Sequence, residues 1–113
     1  MIIIKEPINI NDIIEMANNR YGDMVKAVAD VKRELLAIDS DLHSDLETLL
    51  LENGSMQEDL WGYNIYPELE GDDFIEFDSL INIRPRQNNF SRDVEDVQIQ
   101  KAIIAITNKF IRR

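Results

Sequence analysis

The run LWGYNIY, Leu60 to Tyr66, constrains this chain more than any other feature. Trp61, Tyr63 and Ile65 alternate with Gly62, Asn64 and Tyr66. Successive side chains of an extended strand point to opposite faces, so this alternation predicts a half-buried strand. The stretch FIEFDSLINIR, Phe74 to Arg84, repeats the period. There Ile75, Phe77, Ile81 and Ile83 share one face with Ser79, and Phe74, Glu76, Asp78, Leu80, Asn82 and Arg84 take the other. The connection PELEGDD is short and carries Pro and Gly, which predicts an antiparallel hairpin with a loop longer than two residues. Pro85 ends the second strand, because proline cannot donate to a sheet ladder.

The rest of the chain reads mostly as helix. Ile2 to Ile4 form a short strand closed before Pro7. Asn9 is a helix N-cap with Asp12 in the first turn, and Ile8 and Ile13 occupy the hydrophobic-staple positions of a helix from Ile10 to Arg20. Asp23 caps a second helix, whose stripe is Met24, Val28, Val31, Leu35 and Ile38, with Lys26, Asp30 and Arg33 opposite. A third runs from Asp41 to Asn53 with Leu42, Leu46, Leu49 and Leu50 on one face, and Gly54 takes the left-handed C-terminal cap. Asp93 caps a last helix with Glu95 and Asp96 at its positive end, Lys109, Arg112 and Arg113 at its negative end, and Ile99, Ile103, Ile106 and Phe110 inward. The predicted class is α+β, one domain over residues 1–113: strand, three helices, an antiparallel β-hairpin and a C-terminal helix. The small sheet should carry its helices on one face, with Ile2–Ile4 paired to a hairpin strand.

Charge narrows the function classes. The formal net charge is −10, and from Glu34 to Ile83 there is no Lys or Arg but fourteen acids. A nucleic-acid binder clusters Lys and Arg against phosphates, so the central half argues against a nucleic-acid partner. The acids read either as a solvated face or as a docking face for a basic protein. The absence of cysteine excludes disulfides and thiolate metal sites and fits a reducing compartment. The apolar run Ile2–Ile4 is too short for an export signal, and no segment approaches a membrane span. A soluble, cytoplasmic protein without a membrane partner is expected.

The candidate chemistry is sparse. His43 is the only histidine; on a helix it lines up with Asp39 and Glu47, but no third ligand stands out, so neither metal nor cofactor is expected. The plainer expectation is an exposed His on a charged face. The four glycines are scattered and form no phosphate loop. His43, Glu76 and Asp78 are the candidate proton carriers. Asn82, Arg84, Asn89, Ser91 and Arg92 lie between a strand and a helix N-terminus, where unpaired N–H groups and guanidinium forks suit an anion. Trp61, with Tyr63 and Tyr66, offers aromatic contact area. The same polar groups can instead tie the loop down, with Arg84 or Arg92 paired to Glu76, Asp78, Glu95 or Asp96.

The segments QEDLWGYNIYPE and FIEFDSLINIRPRQNNFSRDVED resemble the central pattern of a small prokaryotic family known only as a domain of unknown function. The likeness rests on Leu60-Trp61-Gly62, Asn64, Tyr66-Pro67, Ser79, Ile81-Asn82-Ile83-Arg84-Pro85, Asn89, Ser91 and Glu95-Asp96, and extends over most of the chain. Where the family pattern carries Gly before the loop Asn, this chain has Asn88. The resemblance implies no catalytic assignment. Two functions are therefore expected: an acidic cytosolic binding or regulatory domain acting through a protein partner or self-association, or a small enzyme or ligand-binding protein with an anion site around Arg84, Asn89, Ser91 and Arg92.

Overall fold

A computed structural model describes residues 1–113. In chain order the elements are β1 (Ile2–Ile4), β2 (Ile8–Asn9), α1 (Ile10–Asn19), β3 (Val25–Asp30), β4 (Leu35–Ile38), α2 (His43–Glu52), β5 (Leu60–Ile65), β6 (Ile75–Glu76), α3 (Val97–Phe110) and β7 (Ile111–Arg112). The class is α+β. Five strands form one antiparallel sheet in the order β1-β4-β3-β5-β6, and β2 pairs in parallel with β7 beside it.

The expected helix over 24–38 is instead the β3–β4 hairpin, with Ala27 opposite Ile38 and Asp30 opposite Leu35. Its turn is fixed by Asp30, whose Oδ1 accepts from the N–H groups of Lys32 and Arg33 and whose Oδ2 accepts from the Ser55 hydroxyl at 2.6 Å. Glu34 completes it at a φ of 55°. Strand β1 accordingly pairs with β4, not with a strand of the later hairpin.

The sheet is covered on both faces, a correction to the single helical layer expected from sequence. Val25, Ala27, Ala29, Leu36, Ile38, Trp61, Tyr63 and Ile65 pack against Ile13 and Ala17 of α1 and Ile103, Ile106 and Phe110 of α3. On the other face Val28, Ala37 and Leu60 meet Leu46 and Leu50 of α2. Each such leucine, fully withdrawn from water, stabilises the fold by about 1.5–3 kcal/mol before entropy is counted.

Helix ends follow local chemistry. Asn9 Oδ1 caps α1 through the Asn11 N–H at 2.8 Å, and Gly54 takes a φ of 95° behind α2. Helix α3 starts three residues later than expected: Asp96, not Asp93, accepts from the Gln98 N–H. The residues before it are held extended by Asn89, which accepts from the Glu95 N–H and donates to the Asp93 carbonyl.

The expected strand over 74–84 is mostly irregular. Only Ile75 and Glu76 pair with β5. The chain then leaves the sheet in two short 3-10 turns, Leu80–Asn82 and Pro85–Gln87, the first capped by Ser79 and the second closed by Asn88 at a φ of 58°. Asparagine tolerates that left-handed conformation better than most residues.

Candidate functional site

Where β6 stops, the edge of β5 still needs hydrogen-bond partners. The Asn82 side chain supplies them: its Oδ1 accepts from the Gly62 N–H and its Nδ2 donates to the Gly62 carbonyl, both at 2.8 Å. A carboxamide thus stands in for a strand residue. Asn82 Nδ2 also donates to the Arg92 carbonyl, and the Ser79 N–H donates to the same oxygen. Gly62 is required for this approach, because a Cβ there would lie 2.6 Å from Ser79 Oγ.

Asn89 is equally committed. Its Nδ2 donates to the carbonyls of Asn82, Ser91 and Asp93. Arg84 donates to the carbonyls of Ile81, Gln57 and Leu60, and sits 3.6 Å from Glu47. Its guanidinium lies over the Trp61 ring, 4.7 Å from the centroid. Trp61 itself is 2 % exposed, and its Nε1 has no partner. Burial pushes the Glu47 carboxyl up, with the Arg84 charge opposing.

The remaining predicted residues form smaller pairs. Arg92 Nε donates to Asp78 Oδ1 at 2.5 Å. Glu76 accepts from Asn64 Nδ2 at 2.9 Å and from the Tyr66 hydroxyl. The Ser91 hydroxyl donates to Glu95 Oε2, which also accepts from the Phe90 and Ser91 N–H groups. Those bonds, the Ser91 hydroxyl first, hold the Glu95 carboxyl below the usual carboxylate range.

His43 is not the exposed histidine of a charged face. It is 7 % exposed, and its Nε2 donates to the Tyr63 carbonyl at 2.7 Å. Burial lowers its pKa to about 4; the Tyr63 carbonyl opposes this, Lys26 adds to it, and the Asn64 amide and Asp78 work against it. The ring is therefore neutral at neutral pH. The alignment with Asp39 and Glu47 does not form a site, since Asp39 pairs with Arg20 and Glu47 faces Arg84.

Beside His43 opens a cleft of about 240 Å³. Lys26, His43, Ser44, Ser79 and Arg92 supply its polar lining, and Leu42, Leu80 and Ile81 its apolar lining. The structure thus brings His43 and Arg92 together, with Asp78 paired to Arg92, and leaves Arg84, Asn82 and Asn89 inside the loop. Lys26, Ser44 and Ser79 were not anticipated at a site. A period-two reading of Val25–Asp30, which puts Lys26 on the face shared with Val28, was the signal for the first.

With Asn82, Arg84 and Asn89 committed to backbone carbonyls, the loop presents apolar side chains beside the exposed Arg86, Gln87 and Asn88. Leu80 is 67 % exposed, Phe90 65 % and Ile83 44 %. No helix is long and apolar enough to cross a membrane. Neither a curated protein nor a solved structure matches the chain significantly. A family model does match, over residues 2–110, and by that match the chain belongs to DUF5674, a family of proteins of unknown function.

Proposed function

We propose that this is a cytoplasmic, non-catalytic binding module that docks a basic protein partner through the segment from Leu80 to Phe90. The observation that carries the reading is the exposure of Leu80, Ile83 and Phe90 on a segment held in place by Asn82, Arg84 and Asn89, whose side chains donate to backbone carbonyls within the loop and on β5. A pre-ordered loop loses little conformational entropy on binding, and large apolar side chains at the centre of an interface carry most of its energy. The partner is a different chain: at a net charge of −10, two copies repel each other, whereas a basic protein is drawn in.

The test is capture from an extract of the native cells, followed by reconstitution with the purified partner. The expected partner is basic, binds more weakly as salt rises, and is lost to the Leu80→Ser/Phe90→Ser double variant, which keeps the wild-type melting temperature. Binding untouched by that variant, an acidic partner, or a stable homodimer by light scattering with no partner at all refutes the reading.

A further inference from the structure

We propose that the cleft between β3, the first turn of α2 and the 79–92 loop binds a hydrogenphosphate group, free or as a monoester. Two cations face the cleft. Lys26 has no ion-pair partner, and Arg92 bonds Asp78 only through Nε, leaving its two terminal nitrogens without a hydrogen bond. No carboxylate lines it. Helix α2 begins there, and its N-cap residue, Leu42, has no side-chain acceptor for the first-turn N–H groups. Those N–H groups and the positive end of the helix favour an anion. The Ser44 and Ser79 side chains add hydroxyls.

The second observation is His43. Its Nε2 carries the proton given to the Tyr63 carbonyl, so Nδ1 holds a lone pair, and that nitrogen makes no hydrogen bond within the protein. An unpaired acceptor on a ring otherwise withdrawn from water, beside these donors, suits a ligand that is anionic and also donates. Hydrogenphosphate does both through its P–OH, whereas sulfate at neutral pH cannot donate. Leu80 lines this cleft as well as the docking segment, but Lys26, His43, Ser44 and Arg92 lie outside that segment, so the two readings fail separately.

Two-dimensional NMR of the full chain, titrated with inorganic phosphate, glycerol phosphate, sulfate and chloride at matched ionic strength and near neutral pH, tests it. Saturable shifts of the His43 and Ser44 amides and of the His43 Nδ1 resonance are expected with at least one phosphate species. Sulfate should bind about tenfold more weakly and chloride should not saturate. Lys26→Gln and Arg92→Gln should each weaken binding about tenfold. If Arg92→Gln lowers the melting temperature, Lys26→Gln alone carries that arm. Sulfate equal to phosphate, an unmoved Nδ1 resonance, affinity unchanged in Lys26→Gln, or failure of both phosphate species overturns the proposal.

Discussion

Replacing Asn82 with alanine removes three hydrogen bonds at once. The Gly62 N–H and carbonyl lose their only partner beyond the end of β6, and the Arg92 carbonyl keeps only the Ser79 N–H. Leaving one buried backbone group unpaired costs about 1–3 kcal/mol, so two orphaned at Gly62 set a range of about 2–6 kcal/mol. Water entering the space vacated by the carboxamide recovers part of that, which places the expected loss at about 2–4 kcal/mol. Against a total stability of about 5–15 kcal/mol for a domain, that is a large fraction. Asn82→Asp separates the two halves of the contact. It keeps an acceptor for the Gly62 N–H but sets a carboxylate against the carbonyls of Gly62 and Arg92, so it should lose at least as much at neutral pH as alanine does. Urea unfolding followed by Trp61 fluorescence gives both values from the shift in midpoint at constant slope. An alanine variant within about 1 kcal/mol of wild type, or an aspartate variant as stable as asparagine, refutes the view that this amide completes the sheet.

Three further outcomes follow from the same geometry. Gly62→Ala drives a methyl group into Ser79 and should cost about 1–3 kcal/mol in urea unfolding, with recovery in a Gly62→Ala/Ser79→Gly double variant. His43 has a folded pKa of about 4, below its ordinary value of 6.5, so its stabilising contribution is whole above the ordinary value and is lost as pH falls towards the folded one. The stability of wild type should fall by about 2 kcal/mol more than that of His43→Gln between about pH 7.5 and about pH 5; equal slopes would contradict a neutral, buried ring. Arg84→Lys keeps the charge but cannot reach the carbonyls of Ile81, Gln57 and Leu60 together, and should cost about 2–4 kcal/mol, read as a lowered melting temperature.

The sequence made some elements legible and hid others for physical reasons. Strand β5 was legible because its alternation is strong, and α1 because Asn9, Asp12 and the pair Ile8 and Ile13 mark its start. Strand β3 was hidden. It lies between β4 and β5 with helices on both faces, so Val28 and Asp30 are as buried as Ala27 and Ala29, and only Lys26 and Asp30 on one face are left to mark the alternation. Its alanines, and the helix-favouring Lys32, Arg33 and Glu34 in the turn, then make the wrong period the more obvious one. What was decisive was the Asp30 carboxylate closing a turn on Lys32 and Arg33, a contact that looks in sequence like an i, i+3 ion pair.

The loop raises the harder question, because its density of Asn, Arg, Gln and Ser was legible and its meaning was not. A chain that leaves a sheet while still buried strands carbonyl oxygens that no ladder will satisfy, and each must find a donor. Here the carbonyls of Gln57, Glu58, Leu60, Gly62, Ile81, Asn82, Ser91, Arg92 and Asp93 all accept from side chains of Asn82, Arg84, Gln87 or Asn89. Donor-rich side chains are thus what buried irregular backbone demands, with or without a ligand. Polarity in such a segment cannot by itself separate a site from a scaffold. What separates them is the remainder: the side chains left over once every carbonyl is served. In this chain those include Leu80, Ile83, Phe90 and the unbonded Arg86 and Asn88 on the outside and, in the neighbouring cleft, Lys26 with the free nitrogens of Arg92. A function that used Asn82, Asn89 or Arg84 directly would have to break the bonds that hold the loop in place, and binding would have to offset that loss. A function that uses the remainder leaves the fold untouched.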